Sequence, residues 1–341
     1  MQDKLTKYIP DFIEPAGKVT IENLLLHNSG IKDYTKIPGW SPSLESQRSL
    51  EDDINLVKKK EFFFPPGRRF MYNNTGFAIL AFIIEKVSGM RYGEFMKKNI
   101  FIPLGMNHTR HRASTDDIGL RSKGYSINSI NNNFTRFVIP GFAQLSGPGF
   151  IISTVDDLLK FDRAVKNRQL LSEESWEKAT SKIINAGMQG YYGYGWMIND
   201  IGGHDINSHT GGLPGFTSAN YFFVNDDVTI IFLSNANSIN PVSMVVHAAA
   251  YMFNLNTDRR NPASISTDIL KKYEGIYHRG RYIYEIKLVY GKLIYNTLGC
   301  KYLPGALVPT SRNTFYIDGR YDGYVSFPFE KDKPVNSVFL S

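Results

Sequence analysis

Residues 70–90 read FMYNNTGFAILAFIIEKVSGM, and this stretch carries the strongest structural signal in the chain. The apolar run Phe77–Val87 predicts a buried α-helix, and Gly89 is placed to end it. The polar residues Tyr72-Asn73-Asn74 come immediately before this run. They are therefore expected at the entrance of a buried helix.

Tyr72 and Asn74 form a Tyr-x-Asn pair that can place a phenol and a carboxamide side by side at the rim of a pocket. A tyrosine acts as a general base only where nearby cations lower its pKa from about 10. The same residues also have a structural interpretation, in which Asn73 or Asn74 caps the helix and Tyr72 packs. The motif alone favours the structural interpretation and leaves both open.

Two further segments contain residue types that suit a binding site. The run SHTGG at residues 208–212 precedes a β-branched and aromatic stretch, and adjacent glycines let a ligand approach backbone N–H groups closely. His209 can donate to a carboxylate or orient a base. Gly147–Thr154 is a loop that leads into a capped helix. Taken singly, each segment also reads as an ordinary turn.

Up to about residue 255, the sequence predicts a mixture of helices, irregular segments and one hairpin. Phe216–Val224 and Val228–Ser234 are aromatic and β-branched, and Asn225-Asp226-Asp227 separates them, which predicts two paired strands. Residues 31–70 and 105–150 are predicted to be mostly loop. Further helices are predicted over residues 18–30, 153–166 and 241–254, with a short one from Ser172.

A small all-β domain is predicted after the linker Arg259–Ser266. Its predicted strands are Ile283–Val289, Lys292–Asn296, Thr314–Ile317, Tyr324–Pro328 and Val335–Leu340. The expected domains are residues 1–260 and residues 266–341.

Composition excludes several classes of function. The 341 residues are 42% hydrophobic and 21% charged, as in globular proteins, and the apolar runs are far shorter than the roughly 20 residues of a membrane span. The net charge of +7 comes from scattered Lys and Arg without a nucleic-acid motif, so no nucleic-acid partner is expected. The single Cys300 allows no internal disulfide. His108 and His111 flank an arginine without a carboxylate at ligand spacing, so no metal is expected, and no cofactor is expected either.

Together these segments resemble the serine β-lactamase and penicillin-binding-protein-like family, on its class C β-lactamase, esterase and D-peptidase side. The resemblance covers about residues 4–255. It rests on LTKYIPDF (5–12), IENLLLHNSG (21–30), the 70–90 stretch, GPGFIISTVDDLLKF (147–161), YGYGWMI (192–198) and SHTGGLPGFTSANYFF (208–223). It implies an α+β fold with an antiparallel sheet flanked by helices, and the C-terminal region looks like the lipocalin-like domain often appended to this family.

The resemblance also implies a role for each site residue. Tyr72 would be the general base, and Asn74 would hydrogen-bond the amide of a substrate. His209 stands in the place of the lysine of Lys-Thr-Gly, and would support Tyr72 or bind a substrate carboxylate. Substrate binding would fall to Thr210, Gly211 and Gly212. The N–H of Gly212 would be one donor of an oxyanion hole.

The nucleophile of the family is the serine of a Ser-x-x-Lys motif that opens a buried helix before the LTKYIPDF segment. This sequence begins at that segment, so the nucleophile helix and the strands before it are expected to be absent. Ser29–Lys32 and Ser175–Lys178 have the right spacing. The first follows a helix end and the second lies in a polar helix, so both are interpreted as coincidence.

The resemblance predicts a serine hydrolase that transfers acyl groups from an ester, a D-amino-acid peptide or a β-lactam, inactive here because the nucleophile is missing. The alternatives are a non-catalytic descendant that binds a peptidoglycan-like ligand, and an inert fragment. The expected partner is a small-molecule or peptidoglycan-derived substrate. By resemblance the compartment is the periplasm or cell envelope, although residues 1–8 (MQDKLTKY) lack the apolar core of a signal peptide. The sequence leaves the oligomeric state open.

Overall fold

A computed structural model describes most of the chain, in two compact units, Met1–Ile239 and Asn240–Ser341. The described residues are 1–38, 49–111, 122–127, 134–137, 147–149, 151–187, 190–236, 239–255, 262–279, 282–298, 305–317, 324–327 and 339–340. The boundary between the units comes earlier than the predicted linker at residues 259–266. The predicted domains, residues 1–260 and 266–341, stay a prediction.

The first unit contains six α-helices among its described residues. They are α1 (Ile21–Leu25), α2 (Leu50–Asn55), α3 (Asn74–Ser88), α4 (Tyr92–Met96), α5 (Val155–Lys166) and α6 (Glu173–Ala179). Of these, α1, α2 and α4 contact the longest, α3. The α3 helix is the one predicted over 77–87, and it begins earlier because the Asn73 side chain accepts the Gly76 N–H at 2.9 Å. Gly89 ends it with a φ of 68°. Both ends are thus defined by residues of the 70–90 stretch.

Helices α1, α2 and α3 share an apolar core. Ala78, Ile79 and Ala81 of α3 are buried, and they belong to one cluster with Leu24 and Ile54. Burial of each large aliphatic side chain contributes about 1.5–3 kcal/mol, so this cluster fixes the position of α3. The start of α3, and with it the Tyr-x-Asn motif, is therefore held rigidly by the core.

The α1 helix is shorter than the predicted 18–30. Thr20 caps it, and its hydroxyl accepts the Asn23 N–H at 3.1 Å. It ends at Leu25 because His27 adopts a φ of 52° and Gly30 a φ of 78°. A left-handed conformation is uncommon for a residue other than glycine. The chain after α1 then runs beside the segment before α3, where the Met71 N–H donates to the His27 carbonyl at 2.8 Å.

An antiparallel sheet forms the other half of the first unit. Two short pairs come first along the chain, β1 (Arg110–His111) with β4 (Ile151–Ile152), and β2 (Gly124–Ile127) with β3 (Phe134–Phe137). The main sheet contains β5 (Ile184–Asn185), β6 (Tyr191–Tyr192), β7 (Met197–Ile201), β8 (His204–Leu213), β9 (Phe216–Phe223) and β10 (Val228–Ser234). Its strand order is β10-β9-β8-β7-β6-β5.

The predicted hairpin is confirmed as β9 and β10, which pair from Val228 with Phe223 to Ser234 with Thr217. The region 105–150, predicted to be mostly loop, contributes strands β1, β2 and β3 within its described residues. The SHTGG run lies in β8, between β7 and β9. The sequence did not predict this strand, because the run consists of polar residues and adjacent glycines instead of the β-branched and aromatic residues typical of strands.

The second unit contains α7 (Pro241–Met252), the short α8 (Thr267–Leu270) and a sheet in which each strand pairs with the next. The strands are β11 (Gly275–Arg279), β12 (Tyr282–Val289), β13 (Lys292–Leu298), β14 (Gly305–Pro309), β15 (Thr314–Ile317), β16 (Tyr324–Ser326) and β17 (Phe339–Leu340). Its core is aromatic, with Tyr273, Phe315 and Phe327 in mutual ring contact. The predicted C-terminal all-β region is confirmed, and Cys300 lies outside the described residues.

Among the described residues, no helix combines the length and the apolar character needed to cross a bilayer.

Candidate active site

The entrance of α3 and the middle of β8 bring the predicted site residues together within the first unit. Tyr72 directly precedes the capping residue Asn73, and Asn74 is the first residue of α3. His209 lies in β8 and pairs with Asn220 of β9. The ring centroids of Tyr72 and His209 are 6.0 Å apart. Two motifs that are distant in the sequence therefore lie next to each other in the fold.

The two asparagines at this helix entrance have different roles. Asn73 is buried; its side-chain nitrogen donates to the Ile31 carbonyl at 2.6 Å while its oxygen caps the helix. Asn74 turns its side-chain nitrogen to Asp33, with Nδ2 and Oδ2 3.2 Å apart. Asn73 is thus the structural cap, and the carbonyl end of the Asn74 side chain is the end that can accept a hydrogen bond from a ligand.

Asp33 is a buried carboxylate that the sequence analysis did not single out. It accepts hydrogen bonds from the Thr35 backbone N–H at 3.0 Å and from the Thr35 hydroxyl at 2.7 Å, in addition to the bond from Asn74. The Lys36 ammonium lies 3.9 Å away. Asp33 falls in an irregular segment, where no periodic pattern marks a residue as part of a site.

Burial raises the pKa of Tyr72 to about 12, and the negative charge of Asp33 adds to this effect. At pH 7 only about one phenol in 10⁵ is then ionised. Both effects move the pKa away from the range in which a tyrosine serves as a base near pH 7.

A continuous series of hydrogen bonds connects the two motifs. The Asn73 backbone N–H donates to His27 Nδ1 at 3.1 Å, and His27 Nε2 lies 3.2 Å from the Tyr192 hydroxyl. The same hydroxyl lies 3.2 Å from His209 Nε2. His209 Nδ1 lies 2.7 Å from the Thr210 carbonyl oxygen. We call this series the His27–Tyr192–His209 chain.

Neither His27 nor Tyr192 was among the site residues predicted from the sequence. His27 was quoted only within the IENLLLHNSG segment, and Tyr192 only as the first residue of the YGYGWMI segment. Both side chains are buried, at 2% and 0% exposure, and the His27 ring also stacks on Phe77 at 4.9 Å. Their presence in two segments of the family resemblance was the signal that could have identified them.

Burial lowers the pKa of both histidines. The pKa of His27 falls to about 3, with His209 as the second cause. The pKa of His209 also falls, although its hydrogen bond to the Thr210 carbonyl opposes the effect of burial. Both rings are therefore neutral at pH 7. The cationic role expected for His209 requires a charge that this environment disfavours.

The substrate-binding residues predicted after His209 continue strand β8. Thr210 pairs with Ala219 of β9, and both Gly211 and Gly212 are exposed. No described atom lies within 4 Å of the position that a Cβ on Gly212 would take. Gly212 therefore leaves open space beside the backbone, whereas a Cβ on Gly211 would lie 2.4 Å from Ser218 Oγ.

Neither Ser-x-x-Lys match forms a nucleophile and its base. The hydroxyl of Ser29 accepts the backbone N–H two residues later at 3.3 Å, and Lys32 lies over an aromatic ring. Ser175 is exposed and bonds another serine hydroxyl, while Lys178 lies 3.6 Å from a carboxylate oxygen of Glu22. In each match the serine and the lysine contact different groups.

Across the residues with described positions, no cluster of three His, Cys, Asp or Glu could hold a metal ion.

Comparisons with known proteins identify the family to which the chain belongs. The sequence model described as beta-lactamase matches residues 1–250. A penicillin-binding protein of Bacillus subtilis is 32% identical over 302 residues, which are 81% of this chain and 66% of that protein. A teichoic acid D-alanine hydrolase of Staphylococcus aureus is 27% identical over 249 residues, covering 71% of this chain and 57% of that protein. The chain thus spans less than two thirds of the length of either relative.

A solved structure supports the same grouping. The octameric penicillin-binding protein homologue from Pyrococcus abyssi has a TM-score of 0.69 and 25% identity, covering 99% of this chain and 80% of that chain. The predicted α+β, β-lactamase/transpeptidase-like fold is therefore confirmed. On the family match, the relatives and the fold, this chain belongs to the β-lactamase and penicillin-binding-protein-like family of serine hydrolases.

Proposed function

We propose that the site at the entrance of α3 binds D-aminoacyl esters or amides, the acyl substrates of a serine hydrolase. The observation that carries this proposal is the proximity of the Tyr72 and His209 rings, with centroids 6.0 Å apart, beside Asn74 at the first position of α3. The name of one relative, a teichoic acid D-alanine hydrolase, supports a D-alanyl group as the acyl part.

Each residue in the cleft suits a part of such a ligand. The Asn74 carbonyl oxygen can accept the amide N–H of a D-aminoacyl group, since Asp33 holds the nitrogen end of the same side chain. The N–H of the exposed Gly212 can donate to the acyl carbonyl oxygen, as in an oxyanion hole. Tyr72 would relay the proton of an attacking hydroxyl, a step for which its pKa must be lowered.

A second candidate, binding without turnover, is favoured by two observations. Neither Ser-x-x-Lys match places a lysine beside its serine, and the pKa of Tyr72 is raised to about 12. A protonated phenol cannot accept a proton, and the loss of a nucleophile costs several powers of ten in rate. We therefore propose that the chain as it stands binds acyl substrates and does not form an acyl-enzyme.

Covalent labelling separates these two functions. The chain is incubated with a fluorescent penicillin and with a fluorophosphonate, and adducts are read by intact mass. We expect no adduct on the wild type, on Ser29→Ala or on Ser175→Ala. An adduct that one of these alanine variants abolishes would identify that serine as a nucleophile and contradict binding without turnover.

A further inference from the structure

The His27–Tyr192–His209 chain ends on a backbone group at both sides, and this fixes its direction. The Asn73 backbone N–H can only donate, so His27 Nδ1 must accept and His27 Nε2 must carry the proton. At the other end the Thr210 carbonyl can only accept, so His209 Nδ1 must carry the proton and His209 Nε2 must accept. The two ends give these assignments independently.

The Tyr192 hydroxyl satisfies both histidines at once. It accepts from His27 Nε2 and donates to His209 Nε2, each at 3.2 Å, which uses its one proton and one lone pair. A backbone amide does not release its proton and a backbone carbonyl does not take one, so the series cannot pass a proton from end to end. It instead fixes the ring orientation and the tautomer of His27 and His209. We call this effect the tautomer lock.

The backbone around His27 supports this function. His27 is the residue with a φ of 52° that ends α1, and its carbonyl is held by the Met71 N–H at 2.8 Å. A left-handed non-glycine residue costs free energy and persists where its surroundings require it. Here the conformation aims the ring between Asn73 and Tyr192. The core that positions the Tyr-x-Asn motif therefore also positions the His27 end of the His27–Tyr192–His209 chain.

We propose that Tyr192 and His27 are positioning residues that hold His209 neutral with its proton on Nδ1, so that the cleft recognises acyl groups without an adjacent carboxylate. A neutral ring whose Nε2 already accepts a hydrogen bond offers a carboxylate neither charge nor a donor at that nitrogen. The ligand selectivity rests on the proposed function. The tautomer lock does not, since it is a property of the free protein.

The lock is tested by ¹⁵N NMR of the histidine side chains at pH 7, in the wild type and in two matched variants. Tyr192→Phe removes the linking hydroxyl, whereas Tyr191→Phe changes the exposed neighbour in the same strand and serves as the control. We expect wild type and control to show a protonated Nδ1 and an unprotonated Nε2 on His209, and the reverse pattern on His27.

In Tyr192→Phe we expect the His209 Nε2 shift to move, because that nitrogen loses its donor while the Thr210 carbonyl still accepts from Nδ1, with the amide spectrum of the first unit otherwise retained. A wild-type His209 that is doubly protonated at pH 7, or protonated on Nε2, would overturn the proposal without any variant. So would unchanged His209 shifts in a folded Tyr192→Phe protein.

The selectivity is tested with N-acetyl-D-alaninamide and N-acetyl-D-alanine, which differ only in the carboxylate. We expect the amide to bind the wild type at least as tightly as the acid in an NMR titration at pH 7. Tighter binding of the acid would overturn the selectivity. Binding of neither compound would count against the proposed function and leave the tautomer result standing as a separate finding.

Discussion

At the scale of single residues, the pKa of Tyr72 combines two effects that can be separated. Burial is the larger cause, and the carboxylate of Asp33 is the second. A cation brought next to the phenol would act in the opposite direction, because it stabilises the phenolate. Whether this tyrosine works as a base is therefore decided by the charges around it and not by its position alone.

Replacing Asp33 with Asn removes the negative charge and keeps an oxygen that can accept from Thr35. We expect the pKa of Tyr72 to fall from about 12, by an amount worth about 1 kcal/mol or less, since part of the charge effect is screened. The measurement is a pH titration of the Tyr72 ring carbons by NMR. The control is Asp268→Asn, which removes an exposed carboxylate in the second unit and should leave the pKa of Tyr72 unchanged. A Tyr72 pKa at or below 10 in the wild type would refute this account.

At the scale of elements, the entrance of α3 depends on one side chain that makes two buried contacts. Asn73 caps the helix through Gly76 and satisfies the Ile31 carbonyl. Both contacts hold the backbone on which Tyr72 and Asn74 lie. The cap therefore contributes to the stability of the first unit and to the geometry of the site.

Asn73→Ala should destabilise the first unit by about 2–3 kcal/mol, the sum of a lost helix cap and a buried carbonyl left without its donor. Ser172→Ala removes the exposed cap of α6 and should cost about 1 kcal/mol or less. Urea unfolding followed by tryptophan fluorescence measures both, because all the tryptophans lie in the first unit. Equal losses in the two variants would show that the Ile31 contact contributes nothing.

The elements also show what the sequence could and could not reveal. The α3 helix, its glycine end and the β9–β10 hairpin follow from local signals, namely an apolar run, a C-terminal glycine and a turn between β-branched stretches. The early end of α1 does not, because the left-handed conformation of His27 is imposed by its contacts with the segment before α3. Tyr72, Asn74 and His209 were found by motif, whereas Asp33, His27 and Tyr192 join the site only through tertiary packing.

At the scale of the whole molecule, the buried histidines couple folding to pH. The pKa of His27 is lowered to about 3 in the folded state and is about 6.5 when exposed, so between these values the unfolded chain binds more protons. The stabilising effect of keeping this ring neutral is full above pH 6.5 and is lost as the pH falls toward 3. His209, whose pKa is also lowered, acts in the same direction.

We therefore expect the unfolding free energy of the first unit to decrease by about 2 kcal/mol from His27 alone between pH 7.5 and pH 5. His27→Asn should show a smaller decrease, because asparagine does not titrate and tolerates the left-handed conformation. Replacing the exposed His108 with Asn should leave the decrease as in the wild type. A His27→Asn protein that loses as much stability as the wild type over this range would contradict the buried neutral state.

The most direct test of the whole account is whether the cleft at α3 and β8 binds a D-aminoacyl ligand. N-acetyl-D-alaninamide is titrated into the ¹⁵N-labelled chain at pH 7 while the side-chain amide of Asn74 and the backbone amides of residues 209–212 are followed. We expect these signals to shift together and saturably, to lose the response in Asn74→Ala, and to keep it in the exposed control Asn99→Ala. Shifts confined to other parts of the chain, or an undiminished response in Asn74→Ala, would show that Tyr72, Asn74 and His209 do not form the ligand site.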